Sequence, residues 1–307
     1  MKHFYYLFLL ALLCSCGGSG SDDPTPDPTP TPTAGNVNKN DASSNEYLAR
    51  LEMPKTKTGS KVITHTTLSY GVNYSFEWDS SIRAQRWTCY DLNKRNVAKN
   101  GNTRKKLWPD GDPWNYDPDV ATSDQQATYS ELSKSYYPNS KDYYEKGHVC
   151  PSNDRLCSKD CNEQTFYMTN ILPMVSKFNG GIWQKMELKI NEWGLKLGDG
   201  DTIFVCKGGT IDKDDQLIGK TIGNHVVPKY FFMALLSKSS SGAMKMLGFW
   251  AEHLNEDHSS DALSGYIVSI DELEKKTGID FFCNLPDDKE EQLESTSASD
   301  IISAWGL

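Results

Sequence analysis

The chain has 307 residues and carries 32 Lys+Arg against 41 Asp+Glu, a net charge of −9. That length buries a sizeable core and leaves room for one large domain or two ordinary ones. The acidic balance argues against wholesale coating of nucleic acid, but it leaves a local basic groove, and so a polyanionic substrate, open.

Residues 1–16, MKHFYYLFLLALLCSC, read as a secretion signal, too short to span a bilayer as a stable anchor. Leu13-Cys14-Ser15-Cys16 resembles the lipobox of bacterial lipoproteins, in which the residue matching Cys16 becomes an acylated N-terminus. The Ser-Asp-Asp that follows in the tether Gly17 to Asp23 is similar to surface-export signals of some Gram-negative lipoproteins. The expected location is therefore outside the cytoplasm, lipid-anchored to the outer membrane or cell surface through Cys16, with a periplasmic or secreted form as the alternative. Residues 17–45 are expected to be a flexible linker, because the Asp/Pro/Thr repeat from Ser21 to Ala34 has almost nothing apolar to bury. Residues 46–307 then form one domain.

Within it, Lys61–Leu68, Tyr74–Trp78, Arg86–Tyr90, Thr202–Cys206 and Val226–Leu236 are rich in β-branched and aromatic residues and bounded by turn formers, which predicts strands. From Lys177 to Leu197 the apolar residues Phe178, Ile182, Met186, Ile190, Trp193 and Leu197 recur at steps of three and four, the period of an amphipathic helix. A shorter helix is expected over Asp271–Thr277, stopped by Gly278. The class is α+β, a mixed or antiparallel sheet core with flanking helices. With Cys14 removed and Cys16 lipidated, six of the eight cysteines remain: Cys89, Cys150, Cys157, Cys161, Cys206 and Cys283. An even number in an exported chain favours disulfides, with about fifteen pairings open. A zinc site at Cys157, Cys161 and His148 ranks lower, since no second cluster completes four ligands.

The long helix carries polar residues in a telling pattern. Asn179, Trp183 and Glu187 are spaced i, i+4, i+8, which at roughly 100° per residue points Asn179 and Glu187 within about 80° of each other. The bland alternative is an N-cap asparagine and a solvated glutamate. The pair Gly180-Gly181 tilts against it, because each glycine early in a helix costs roughly 1 kcal/mol against Ala and close approach of a ligand or backbone would justify that cost. His148 lies upstream in YEKGHVCPSNDR.

The ordered set Lys146-Gly147-His148, Thr169-Asn170-Ile171-Leu172-Pro173, Phe178-Asn179-Gly180-Gly181-Ile182-Trp183 and Glu187 resembles the signature of the DNA/RNA non-specific endonuclease family. Arg86 to Tyr90, Thr103-Arg104, Asp117-Pro118, Val227 to Phe231 and Ser269 to Phe282 extend the likeness over nearly all of residues 46–295. The resemblance implies a ββα-metal core with His148 as general base, Asn179 as the protein ligand of one Mg²⁺ (Mn²⁺ as an alternative), and Glu187 organising the water around it. It further implies Arg104 as a phosphate contact and Asn170 as a supporting residue. One position departs from the pattern: the family's acidic-Arg-Gly-His run is here Glu145-Lys146-Gly147-His148, and a lysine lacks arginine's bidentate fork.

These residue types suit phosphodiester hydrolysis, which needs a base for the attacking water and a cation for the charge that builds on phosphate and leaving oxygen. Histidine, with an unperturbed pKa of about 6.5, keeps a neutral fraction near physiological pH. Mg²⁺ prefers oxygen ligands and retains waters. The expected substrates are DNA and RNA. The stretch Asn93–Pro109 adds Lys94, Arg95, Lys99, Arg104, Lys105 and Lys106 with no acid, either a phosphate-tracking lobe or a solvated loop. His65, His225, His253 and His258 are expected to be structural or surface residues. Trp183 is expected to pack beneath the site, and Tyr136, Tyr137, Tyr143 and Tyr144 are expected to pack rather than stack on bases. A homodimer is compatible with the sequence, and no protein partner is implied. The competing readings are a catalytically weak surface protein that binds nucleic acid, favoured by Lys146, and a toxin nuclease with an inhibitor, disfavoured by the lipid-type N-terminus.

Overall fold

The computed structural model describes residues 35–125 and 131–307. The expectations for the secretion signal, the lipidated Cys16 and the first part of the linker lie outside them. Strands β1 (Lys61–Thr67), β2 (Gly71–Asp79) and β3 (Ala84–Asn93) form consecutive antiparallel hairpins. Later in the chain come β4 (Tyr144–His148), β5 (Ile171–Val175), β6 (Thr202–Gly209), β7 (Leu217–Lys220), β8 (Val226–Pro228), β9 (Tyr230–Lys238), β10 (Met244–Glu252) and β11 (Ile267–Val268). Seven of them make one antiparallel sheet in the order β1-β2-β3-β6-β9-β10-β11, while β4 pairs with β5 and β7 with β8. The helices are α1 (Arg104–Leu107), α2 (Lys159–Gln164), α3 (Ser176–Phe178), α4 (Gln184–Gly194), α5 (Ile270–Thr277), α6 (Asp287–Glu294) and α7 (Ala298–Trp305).

Both faces of the large sheet are buried, and the period of two along each strand sorts the side chains between them. Tyr90, Leu92, Ile203, Val205, Phe231, Met233 and Leu235 point to one core, covered by Ile182 and Trp183 just before α4 and by Met186 and Ile190 on it. Trp87, Cys89, Cys206, Phe232, Ala234 and Leu236 point to the other, which α5 covers with Ile270 and Leu273. By the same parity Lys207, after Ile203 and Val205, faces α4.

Several boundaries differ from expectation. The run Val226–Leu236 is two strands in different sheets, divided at Lys229, whose N–H bonds Gln216 instead of continuing either ladder. The single helix over Lys177–Leu197 is broken: α3 passes through a π-helical turn, Asn179–Trp183, into α4, with Gly181 at φ −101°, ψ −114°. A π-turn inside a helix often marks a functional site, and it voids the simple 100° count between Asn179 and Glu187. The helix at Asp271–Thr277 is present as α5, capped by the Ser269 side chain and closed by Gly278 at φ +70°.

The flexible linker does not extend to residue 45. The Asn36 amide donates to the Cys283 carbonyl at 3.0 Å, Asn38 to Glu290 at 3.1 Å, and the buried Asn40 to the Pro54 carbonyl at 2.9 Å. These asparagines let an apolar-poor segment dock by hydrogen bonds alone.

Candidate active site

The β4–β5 hairpin and the helix that follows it form a ββα unit lying on the sheet. At Gly147 a Cβ would fall 2.3 Å from the Met174 sulfur on β5, so a larger residue next to His148 would have to displace that buried side chain. Trp183 joins helix to strand: its Nε1 donates to the His148 carbonyl at 3.3 Å, and its ring lies buried between Phe178 and Phe231, 6.0 and 5.2 Å away. Packing beneath the site is thus its place, as expected.

A cleft of about 560 Å³ opens over this unit, and Arg104, Asp112, Glu145, Lys146, His148, Asn179 and Glu187 line it. The His148 ring, at the end of β4, stands 5.1 Å from Trp114 and 5.2 Å from Phe166. Its Nε2 is shielded from solvent without a hydrogen-bond partner among the described residues. Burial, helped by the charge of Arg104, lowers the imidazole pKa to about 3, so the ring is neutral at neutral pH and can accept a proton.

Asn179 opens the π-turn. Its Nδ2 donates to Glu145 Oε2 at 3.1 Å, and no donor among the described residues reaches its Oδ1. The amide nitrogen is therefore committed to strand β4, and the carbonyl oxygen is left for the cleft. Glu187, on α4, accepts from Lys207 Nζ at 2.6 Å, and Lys207 is fully buried with Nζ 4.4 Å over the Trp183 ring. Burial raises the Glu187 carboxyl to about 7 against the opposing pull of Lys207. A neutral amide oxygen and a carboxylate are hard donors, the set that a divalent cation such as Mg²⁺ accepts, so these residues fit the ion that the sequence pattern implies.

Arg104 caps the opposite wall. Its guanidinium engages Asp112 through two N–H groups, Nε at 2.7 Å, and stacks 4.7 Å over Phe166. That pairing holds the Asp112 carboxyl below its ordinary value. Lys146 reaches the same wall, with Nζ 4.4 Å over Trp114, and burial pulls its pKa down while Asp112 pulls it up. The lysine thus keeps a cation where an arginine was expected, without the fork.

Asn170 does not line the cleft. It is buried, and its side chain accepts from the Cys150 N–H at 2.8 Å and donates to the Cys150 and Thr165 carbonyls at 2.9 and 2.8 Å. It braces the backbone just past His148 and so acts by positioning. Most of the basic stretch 93–109 is spent on the chain itself: Lys94 pairs with Asp199, Lys105 donates to the Pro109 carbonyl and Lys106 to that of Gly101. Lys99 bonds Asn153, which lines the cleft. A solvated, self-bracing loop describes these lysines better than a phosphate track.

The disulfide expectation is not met: all six described cysteines are buried free thiols. Cys89 and Cys206 face each other in register on β3 and β6, and the Cys157 and Cys161 thiols share a hydrogen bond. The zinc alternative gains nothing, because neither group of three ligating side chains among the described residues contains a cysteine. His65 is held by Asp117 at 2.8 Å and Asp119 at 3.2 Å, and His253 by two backbone groups, both structural as expected. Tyr137 and Tyr144 pack, while Tyr136 and Tyr143 are exposed and pair across an isolated bridge, contrary to expectation.

Sequence reasoning missed Asp112, Trp114 and Lys207. Lys207 left a trace, a lysine on the apolar parity of TIFVCKGG, but naming its partner required the packing of α4 on β6.

A ββα unit thus lies on an antiparallel sheet, and one cleft over it gathers a neutral histidine, an amide, three carboxylates and two basic side chains. A profile of the DNA/RNA non-specific endonuclease family matches residues 53–288, and the chain belongs to that family. It is 25% identical over 249 residues to a nuclease of Nostoc sp., covering 79% of this chain and 82% of the relative. Against a nuclease of Serratia marcescens the identity is 23% over 222 residues, covering 72% and 77%. Against the mitochondrial nuclease EXOG of Mus musculus it is 23% over 248 residues, covering 76% of this chain and 61% of that protein. The chain thus spans about three fifths of this mitochondrial relative's length. The crystal structure of the EndoG/EndoGI complex contains a similar fold, with a TM-score of 0.60 at 18% identity, covering 77% of this chain and 91% of that one.

Proposed function

We propose that this protein is an extracytoplasmic, divalent-metal-dependent endonuclease that hydrolyses DNA and RNA with little base preference. The observation that carries this reading is the convergence of His148, Asn179, Glu187 and Arg104 on one cleft. His148, neutral and next to the cationic wall, takes the proton of the attacking water. Asn179 Oδ1, freed by the Glu145 contact, would hold Mg²⁺, with Mn²⁺ as the alternative. When bound, the ion supplies positive charge for the phosphate and the departing 3′ oxygen. Glu187, tied to Lys207 through one oxygen, presents the other to water in the cleft. Arg104 and Lys146 orient the phosphate, and Asn170 keeps the backbone after His148 in place. Attack by water with release of the 3′ oxygen leaves a 5′ phosphate and a 3′ hydroxyl. Contacts limited to phosphate carry no sequence information, which supports weak base preference. Export and lipidation at Cys16 rest on the sequence pattern alone.

The competing reading, a catalytically weak binding protein, leaned on Lys146. Its position in the cationic wall, beside the intact His148, Asn179 and Glu187, favours turnover. The test is degradation of plasmid and RNA in Mg²⁺, its arrest by chelator, and end analysis of the products. Mg²⁺-independent cleavage, or products with 3′ phosphates, would overturn the reading.

A further inference from the structure

On the face of the sheet away from the cleft, α5 and α6 bring acids together that the proposed reaction does not use. A carboxylate oxygen from each of Asp271, Glu274 and Glu294 lies within 4.8 Å of the other two. Glu294 and its neighbour Glu290, one helical turn apart on α6, are only 6% and 5% exposed, and each has a buried Oε1 without a hydrogen-bond partner. No salt bridge reaches Asp271, Glu274, Glu290 or Glu294 among the described residues. The Asn38 side chain arrives from the N-terminal segment, donating to Asp280 and Glu290 at 3.2 and 3.1 Å, and its own Oδ1 is likewise buried without a partner.

Buried carboxylates are normally paired or bound to a metal. Here the donors are all oxygens, no salt bridge compensates them among the described residues, and the buried Oε1 atoms of Glu290 and Glu294 have no hydrogen-bond partner. Ca²⁺ takes six to eight oxygens at about 2.3–2.6 Å, several of them from carboxylates, so carboxylate oxygens lying within 4.8 Å of one another can share one ion. Mg²⁺ keeps several of its waters and is usually held by one or two carboxylates, so three converging carboxylates suit it less well. We infer that Asp271, Glu274 and Glu294 form a calcium site separate from the catalytic cleft, tying α5 to α6, with Glu290 and Asn38 at its rim. Because Asn38 belongs to the docked N-terminal segment, an ion there would also fasten that segment to the C-terminal helices.

The test uses protein stripped of metal by chelator and titrated with CaCl₂ by equilibrium dialysis at pH 8, as wild type and as Asn179→Ala, which removes the proposed cleft ligand. The Asn179→Ala protein is expected to bind one Ca²⁺ with sub-millimolar affinity and to gain several degrees in Tm in millimolar CaCl₂. Asp271→Asn/Glu294→Gln is expected to lose that binding and that gain, to melt higher than wild type when metal-free because like charges have been removed, and to retain its Mg²⁺-dependent activity. No calcium uptake by Asn179→Ala, or uptake unchanged by Asp271→Asn/Glu294→Gln, overturns the inference. Either outcome leaves the nuclease reading untouched.

Discussion

Lys207 Nζ, wholly buried at the end of β6, lies 2.6 Å from a carboxylate oxygen of Glu187 on α4. The pair joins the central sheet to the helix that borders the cleft, and it decides how much charge Glu187 carries there. Lys207→Met leaves a buried carboxylate unpaired. Breaking such a pair from one side costs about 3–5 kcal/mol, so a Tm drop of many degrees is expected. The Glu187 carboxyl, already at about 7 through burial, should rise further, moving the acid limb of the pH–activity profile to higher pH. The double variant Lys207→Met/Glu187→Leu should regain stability without regaining activity. An unmoved acid limb in Lys207→Met would separate Glu187 from catalysis.

Glu145 holds the Asn179 amide nitrogen. In Glu145→Ala that hold is lost and the amide is free to turn. Loss of a residue that orients a ligand typically costs about 10–100-fold in affinity or activity, so the Mg²⁺ concentration for half-maximal cleavage should rise by about that factor. Glu145→Gln, which keeps an acceptor oxygen, should fall between the two. Equal metal requirements in all three proteins would contradict the role given to this contact.

Lys146 stands in the cationic wall at the family's arginine position. Lys146→Arg should leave cleavage unchanged or faster, since a guanidinium can stack on Trp114 and address phosphate with a fork. Lys146→Ala should raise KM more than it lowers kcat and should flatten the salt dependence of binding. Steady-state kinetics on a short duplex at several ionic strengths distinguishes these outcomes.

His253 is a stability switch of known sign. Its Nδ1–H donates to the Pro228 carbonyl at 3.0 Å and its Nε2 accepts from the Val175 N–H at 2.8 Å, so only the neutral ring satisfies both. Burial lowers its pKa to about 4. The unfolded chain, with an ordinary value of about 6.5, takes the proton first. The stabilisation is therefore complete above about pH 6.5 and is lost as pH falls toward 4, with at most about 1.4 kcal/mol per pH unit from this group. His148, lowered to about 3, adds to the same trend. His253→Asn should melt lower than wild type at pH 7.5 yet lose less on acidification, as thermal melts from pH 7.5 to 4 would register.

The sheet was legible because both of its faces are buried, so strands such as Thr202–Cys206 read as continuous apolar runs. The hairpin that carries His148 was not, since YEKGH is mostly polar and ILPMV contains a proline tolerated only because β5 is an edge strand. His148, Asn179, Glu187 and Arg104 were reachable through ordered motifs, and the structure places all four in one cleft. Asn170 was assigned to the right neighbourhood, but its buried hydrogen bonds give it a bracing part. Asp112 and Lys207 depend on contacts between segments far apart in sequence, which no local spacing encodes. The linker was misjudged over residues 35–45 because composition cannot foresee docking through asparagine side chains.

The central claim is tested most directly by comparing wild type, His148→Ala and Asn179→Ala on supercoiled plasmid and on RNA, in Mg²⁺ and in chelator, with duplex binding measured in parallel. The expected result is Mg²⁺-dependent cleavage by wild type, a fall of about 10²–10⁴-fold in His148→Ala as for loss of a general base, a comparable fall in Asn179→Ala, and near-normal DNA binding by His148→Ala. Undiminished cleavage by either variant would contradict it.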